Sequence, residues 1–145
     1  ILVTRALEGY VSLDQWFALD ENRHDEGRVR AVLQSVVDAV KPIHARGIGH
    51  GSLYGKHIFV RTGAGDDAAG AAVAIRLIDL ERARRSLFHD RLIRMDLSQL
   101  LRRTPGLGEK EREILLALYF DAPDRGRWRI RLRKAIETKT RRKRR

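Results

Sequence analysis

The sequence contains no cysteine among its 145 residues. This absence excludes a disulfide scaffold, cysteine-ligated zinc, iron–sulfur clusters and thiol catalysis. Long apolar runs are also missing, since the longest uncharged one extends from Ala68 to Ile75, far short of the roughly 20 residues that a membrane-spanning helix needs. No signal-peptide pattern opens the chain. Because it starts on Ile1 rather than Met, and residues 1–10 read as the middle of a segment, we expect a fragment or a processed product.

A length of 145 residues fits one compact domain or one lobe of a larger one, and a hydrophobic fraction of 43% is enough for an ordinary core and too high for a disordered chain. The net charge of +11 is concentrated at one end, because residues 125–145 carry twelve Lys and Arg against a single acid. Such a basic tail is either a solvated end or a contact for an anionic membrane surface or an acidic glycolipid. Nucleic acid is disfavoured as a partner, because Trp128 is the only aromatic residue in the tail and bases need stacking platforms.

Apolar spacing and turn residues predict a mainly helical chain with one β-hairpin. Ser12 and Gln15 form a capping-box pattern that predicts a short helix over 12–19, followed by a polar loop over 20–27. Apolar residues then recur every three or four positions from Val29 to Ile43, which predicts a long helix. The other predicted elements are a short strand and turn within 1–10, strands over 57–61 and 73–80 joined by a loop over 62–72, and helices over 92–102, 109–120 and 126–139.

Polar side chains are concentrated after the long helix and at the end of the second hairpin strand. The loop reads His50-Gly51-Ser52-Leu53-Tyr54-Gly55-Lys56-His57, and the strand ends Leu77-Ile78-Asp79-Leu80. In this architecture we expect the loop and the strand end to face the same cleft. A zinc site from His44, His50, His57 and Asp79 is allowed by residue type but disfavoured, because no two of these histidines have H-x-x-x-H spacing.

The segment from Ile43 to Leu53, which reads IHARGIGHGSL, resembles the end of helix E and the catalytic loop of a protein-kinase-like fold. The kinase pattern is H-R-D-x-x-x-x-N followed by a metal-binding Asp. His50 matches the His, His57 falls on the Asn, and Asp79 matches the metal-binding Asp. The His at the Asn position, the Ile-Asp-Leu strand end and the RMDLSQL segment over 94–100 resemble the lipopolysaccharide kinase family (the Kdo/WaaP group, with its InaA-like members).

The resemblance covers roughly residues 1–101, with 1–10 similar to the hinge strand of the family. It implies an α+β fold: a protein-kinase-like C-terminal lobe over 1–124, mainly helical with a small β-hairpin at the active-site loop, and then a basic helix and tail over 125–145. The N-terminal lobe, with its glycine-rich loop and phosphate-binding Lys, would be absent from this chain. The family implies ATP and Mg²⁺ as cofactors and inner-core lipopolysaccharide sugars as substrates, at the cytoplasmic face of the membrane.

For individual residues, the resemblance implies that Asp79 and His57 bind the metal, that His50 has a structural role in the loop, and that Asp96 anchors the loop's backbone N–H groups. Two alternatives stay open: Asp79 could be a strand-end carboxylate that caps the next turn, and His57 could be a partly buried histidine bonded to a backbone carbonyl. Ser52 stands at the position of the catalytic Asp, and a Ser hydroxyl is not a base near neutral pH. Loss of a general base costs on the order of 10²–10⁴ in rate. A set of arginines could receive acidic sugars or phosphates, or could form a solvated surface paired with Glu81, Asp90 and Asp96. The set is Arg82, Arg84, Arg85, Arg91 and Arg94.

Three functions therefore remain open from the sequence. The first is an ATP-dependent phosphotransferase acting on an inner-core glycolipid, and the second is a pseudokinase scaffold that keeps the fold without transfer. The third is a basic-tailed adaptor for a membrane surface or nucleic acid. Ser52 favours the second function over the first, whereas His57 and Asp79 favour the first over the third.

Overall fold

The computed structural model describes residues 7–63, 72–120 and 127–142. Within these ranges the chain forms six helices, five short strands and two 3₁₀ turns. The fold is α+β and mainly helical, as predicted. The helices are α1 (Leu13–Ala18), α2 (Asp20–His24), α3 (Glu26–Ala45), α4 (His89–Arg103), α5 (Glu109–Phe120) and α6 (Arg127–Arg142), and the strands are β1 (Val11–Ser12), β2 (Ile48–Gly49), β3 (Ile58–Thr62), β4 (Val73–Leu77) and β5 (Arg84–Arg85).

Two small antiparallel sheets determine where the loops lie. In the first sheet β3 is central, with Val60 opposite both Val11 and Ile75. In the second sheet β2 pairs with β5, so the residues just before the loop of interest lie beside the residues that follow Asp79. The end of β4 returns to the start of β3, where the Ile78 N–H donates to the His57 carbonyl at 3.0 Å. The hairpin therefore brings Asp79 to His57, as expected.

The core is built around the apolar stripe of α3. This stripe packs mainly against α5 and β4, while α4 packs against α6 and β2. Trp16 and Phe17 are buried against the same core, which confirms that prediction. From α6, Ile136 is fully buried, so the basic C-terminal helix is packed onto the domain. The buried residues of the α3 stripe are Val29, Val32, Leu33, Val36, Val37 and Val40.

Side-chain caps mark the starts of α1 and α3. The predicted capping box is confirmed: the Gln15 N–H donates to Ser12 Oγ, and the Ser12 N–H donates to Gln15 Oε1. The predicted polar loop over 20–27 is wrong, because α2 and the first turn of α3 occupy it. Asp25 caps α3 by accepting from the Arg28 N–H at 2.9 Å. Periodicity missed this turn because a helix N-terminus favours acidic, solvated residues rather than apolar ones.

Other boundaries differ from the sequence predictions by a few residues. Strand β4 ends at Leu77 rather than at residue 80, because Asp79 turns the backbone out of the strand and a 3₁₀ turn follows. Helix α4 starts at His89 instead of Leu92, and the predicted C-terminal helix is confirmed as α6. Residues 7–10 form the expected turn around Gly9. The rest of the predicted hinge strand, most of the hairpin loop and the last three residues of the tail lie outside the described residues.

Candidate active site

One buried carboxylate, that of Asp96, anchors the loop over residues 50–57 that carries the candidate site. Asp96, in the middle of α4, is 1% exposed. Its Oδ2 accepts from the His50 N–H at 2.6 Å, and its Oδ1 accepts from the Gly51 N–H at 2.9 Å. The predicted anchoring role of Asp96 is therefore confirmed. Gly51 has φ +78°, and a Cβ there would overlap the Arg82 backbone, so the loop is fixed tightly against the segment after Asp79.

A second line of hydrogen bonds ties this anchor to the helices behind it. His44 Nε2 lies 3.0 Å from Asp96 Oδ2, and His44 Nδ1 lies 2.7 Å from the Tyr119 hydroxyl. A proton on Nε2 lets the ring donate to Asp96 while Nδ1 accepts from Tyr119. Both ring nitrogens of His44 are thereby used, so this histidine contributes to the packing of α3, α4 and α5 rather than to a zinc site. The sequence signal for it was its position on the apolar stripe of α3.

His50 is completely buried beneath the loop. Its Nδ1 accepts from the Ser52 N–H at 3.3 Å, and its ring stacks at 6.4 Å on the ring of His57. Burial lowers the pKa of His50 below its ordinary value, and His57 adds to this effect, whereas Asp96, Asp79 and the Ile78 backbone oppose it. The lowered pKa favours the uncharged ring, which can be buried beneath the loop without the cost of burying a charge.

The central pair of the site is His57 and Asp79. His57 Nε2 lies 3.3 Å from Asp79 Oδ2, with side chains that are 12% and 40% exposed. On the other side of the ring, Nδ1 donates to the Ser52 carbonyl at 2.8 Å. When Nδ1 carries the only ring proton, Nε2 presents a lone pair toward a carboxylate oxygen. A second ring proton, on Nε2, would make the contact an ion pair between His57 and Asp79, whereas without it a cation between the two acceptors would remove their repulsion. The pair is therefore a candidate cation site.

The backbone of Asp79 is in an unusual conformation. Its φ of 59° and ψ of 55° lie in the left-handed region, and it is the only non-glycine residue with positive φ in the described part of the chain. A non-glycine residue in this region costs on the order of 1–2 kcal/mol, somewhat less for Asp. Such strain is typically kept where a side chain must be aimed. Here it points the carboxylate at His57 instead of continuing β4.

Ser52 connects the two histidines through its backbone. Its N–H donates to His50, and its carbonyl accepts from His57 and from the Tyr54 N–H. The residue is nearly fully buried. The Ser52 backbone thus links His50 to His57, and His57 in turn contacts Asp79. A carboxylate for accepting a proton is missing at position 52.

The predicted arginine set divides into two groups. Arg82, Arg84 and Arg85 are exposed on the 3₁₀ turn and β5 beside the loop, whereas Arg91 and Arg94 are exposed on α4. Among the described residues none of these five arginines forms an ion pair. The alternative in which these arginines pair with Glu81, Asp90 and Asp96 is not seen among the described residues, and the carboxylate of Asp96 is buried and occupied by the loop.

Asp14 is a neighbour of the site that the sequence did not indicate. It lies in the first turn of α1, and its Oδ1 is buried without a hydrogen-bond partner in the described ranges. A Cβ on Gly55 would overlap this oxygen, so α1 contacts the loop directly. Burial raises the pKa of Asp14, while the charges of Lys56 and His57 oppose the shift. Nothing in its local sequence distinguishes Asp14 from an exposed helix residue.

The geometry fits the class of protein that the sequence resemblance implies. In a protein-kinase-like C-terminal lobe, a catalytic loop and a metal-binding Asp face one cleft, and here the anchored loop lies opposite the hairpin that ends at Asp79. Residues 1–119 match the model of the lipopolysaccharide kinase (Kdo/WaaP) family. The chain belongs to this family.

Two relatives show how far the likeness extends. Protein InaA of Escherichia coli (strain K12) is 32% identical over 121 residues, which cover 83% of this chain and 53% of InaA. A solved structure described as WaaP in complex with acyl carrier protein superposes with a TM-score of 0.71 at 25% identity. That match covers 94% of this chain and 58% of the WaaP chain. The chain thus spans somewhat more than half the length of these two relatives.

Proposed function

We propose that this chain forms the cation-binding and acceptor side of a phosphotransferase. In this proposal the whole protein uses ATP to phosphorylate an inner-core sugar of lipopolysaccharide at the cytoplasmic face of the membrane. The observation that supports it most directly is the pair formed by His57 and Asp79, two potential ligand atoms 3.3 Å apart at the edge of an anchored loop. Membership of the lipopolysaccharide kinase family supports the substrate class.

In this proposal the pair supplies two of the ligands of a divalent cation, because the described residues contain no group of three or more His, Asp or Glu side chains that could hold one by themselves. Two ligands of an octahedral ion with bonds of about 2.1 Å lie roughly 3 Å apart, close to the observed separation. Mg²⁺ prefers oxygen ligands, and imidazole is more often a ligand of transition-metal ions, so a site with one carboxylate and one imidazole allows either kind of divalent ion. When bound, the cation would supply positive charge for the phosphate oxygens of ATP. Asp79 and His57 would hold it, and the Ser52 carbonyl would fix the ring of His57 through Nδ1.

The rest of the nucleotide cleft belongs, in this proposal, to an N-terminal lobe. The glycine-rich loop and phosphate-binding Lys of kinase-like proteins are not found in these 145 residues. We therefore propose that efficient nucleotide binding requires that lobe and that the chain alone binds ATP weakly.

The experiment is a transfer assay with the complete gene product, γ-labelled ATP and an inner-core glycolipid acceptor. Asp79→Asn should reduce transfer by at least about a hundredfold. Loss of a residue that only supports a metal ligand typically costs about 10- to 100-fold, and this substitution alters the proposed ligand itself. Asp38→Asn, at an exposed carboxylate on α3, is the matched control and should leave transfer unchanged. Equal activity in the parent and Asp79→Asn proteins would reject the assignment.

A second candidate function, a pseudokinase scaffold, is favoured by Ser52. Without a carboxylate at this position, the acceptor hydroxyl has no base in the loop, although phosphoryl transfer depends mainly on positioning and electrostatics. In the same assay, Ser52→Asp should then increase transfer, with a gain of up to roughly 10²–10⁴. A parent that already turns over at an ordinary kinase rate, on the order of 1–100 per second, with Ser52→Asp slower, would eliminate the scaffold function.

A further inference from the structure

The segment between β5 and α4 presents two large apolar side chains to solvent. Leu87 is 95% exposed and Phe88 is 73% exposed, the highest values among the large hydrophobic residues that the structure describes. We call these two residues the apolar tip. Most exposed apolar residues on a protein are scattered singly and need no explanation. Leu87 and Phe88 differ from such scattered residues because they are adjacent in sequence and neither is covered by the described part of the chain.

The backbone of the apolar tip is held in place. The Ser86 N–H donates to the Gly47 carbonyl at 2.9 Å, and the Phe88 N–H donates to Ser86 Oγ at 3.1 Å. The Phe88 carbonyl then accepts from the Arg91 N–H, which starts α4. Gly47 has φ +70°, and a Cβ there would lie within 3.0 Å of the Ser86 carbonyl oxygen. The exposure of Leu87 and Phe88 is thus imposed by an anchored turn.

Positive charge surrounds the apolar tip. Leu87 and Phe88 lie at an open depression of about 810 Å³, together with Arg91 and Arg94 of α4 and Arg131 of α6. Its remaining lining residues are His89, Asp90 and Ala135. Within the described ranges, the three arginines have no ion-pair partner, although one acid, Asp90, lies among them. The surface therefore combines exposed apolar groups with an excess of positive charge.

We propose that the apolar tip inserts into the interface of an anionic phospholipid bilayer, with Arg91, Arg94 and Arg131 binding lipid phosphates. Apolar side chains that are exposed to solvent can be buried by insertion into a bilayer interface, which requires no surface of complementary shape. Anionic headgroups complement the arginines, which lie close to the polar boundary where the apolar groups would enter. An acidic protein segment would have to cover the same side chains across an open depression, which would enclose its apolar face only in part.

Docking of the apolar tip would also orient the candidate active site. Strand β5 connects the tip to the 3₁₀ turn that follows Asp79, and its partner β2 leads directly into the anchored loop. A membrane-bound tip would therefore keep the cleft at the lipid surface. The proposal needs neither nucleotide nor phosphate transfer, so its failure and that of the proposed function are separable.

The absence of cysteine makes a direct test possible. Phe88→Cys gives a single thiol for an environment-sensitive dye, and Leu19→Cys, at another exposed apolar position, is the matched control. With vesicles of phosphatidylcholine and phosphatidylglycerol, we expect a blue shift and an intensity gain at position 88 and no change at position 19. With vesicles of pure phosphatidylcholine, both the blue shift and the intensity gain at position 88 should be much smaller. Protein that binds the anionic vesicles with an unchanged signal at position 88 would overturn the proposal, as would failure to bind them.

Affinity measurements on unlabelled protein provide a second readout. The double variant Leu87→Ser, Phe88→Ser should weaken partitioning to anionic vesicles by at least about tenfold. Arg91→Gln and Arg94→Gln should each weaken it by up to about fivefold at low salt, whereas Arg30→Gln, exposed on α3, should have little effect. Unchanged partitioning in the double variant would contradict insertion. A dye shift at position 88 with soluble polyglutamate but not with vesicles would assign the surface to an acidic protein instead.

Discussion

Replacing Asp96 by Asn tests the anchor on which the candidate site depends. The carboxylate accepts three hydrogen bonds, from the His50 and Gly51 backbone N–H groups and from His44 Nε2. An Asn side chain has the same shape but offers only one oxygen. Whichever way the amide is turned, its NH₂ group faces a donor, so at least one loop N–H loses its partner.

The expected cost follows from these lost hydrogen bonds. A buried donor without a partner costs about 1–3 kcal/mol, and bonds to a charged acceptor are worth about 1.5–3 kcal/mol each. Because Asn keeps one acceptor and Asp96 is buried, we expect Asp96→Asn to lower the free energy of unfolding by about 2–4 kcal/mol. That is a large part of the roughly 5–15 kcal/mol that stabilises an ordinary domain.

Urea unfolding followed by far-UV circular dichroism would measure this loss as a lower midpoint at an unchanged slope. The matched control is Asp38→Asn, where an exposed carboxylate accepts from Gln34 Nε2 at 2.8 Å. Its effect should stay within about 0.5 kcal/mol, as for most surface substitutions. If Asp96→Asn proved as mild as this control, Asp96 would not anchor the loop in the way described.

Asp14→Asn should raise Tm at neutral pH, because burial raises the pKa of Asp14 and ionisation above the folded-state pKa therefore costs stability. The gain should shrink as pH falls through the raised folded-state pKa and should be gone below the ordinary carboxyl value of 3.8, so a gain that persists in acid would refute this cause. Gly51→Ala should cost at least about 2 kcal/mol, since it adds a backbone overlap to an unfavourable φ; Gly63→Ala, with no close neighbour, is the control in the same denaturation experiment. Tyr119→Phe should cost about 1 kcal/mol by leaving His44 Nδ1 without its hydroxyl partner, and no loss in urea unfolding would contradict that bond.

The predictable part of the fold was the part determined by local pattern. The stripe beginning at Val29 and the capping box at Ser12 act over a few residues, and both predicted helices are confirmed. The start of α3 was missed because its cap at Asp25 is a polar residue in a polar stretch. The pairing of Ile48 with Arg85 was missed because two-residue strands have no periodicity to detect.

The candidate site was predictable as a set of residues but not as a geometry. Motif spacing placed His57 and Asp79 together, yet it could not indicate the left-handed backbone that aims Asp79. Asp14 became a neighbour of the loop only through the packing of α1, a tertiary contact without local signal. Leu87 and Phe88 likewise have the composition of core residues, and only the fold shows that they face solvent.

The central claim, that His57 and Asp79 form a cation site, is tested most directly by histidine ring NMR during titration with Mn²⁺. In the parent chain, long-range proton–nitrogen spectra should show the His57 proton on Nδ1, and Mn²⁺ should broaden the His57 ring signals first. Exposed His24 and His89 are internal controls and should broaden later, and Asp79→Asn should abolish the selective effect. Uniform broadening of all histidines, or a His57 ring that is unaffected while Mn²⁺ is in excess, would contradict the account.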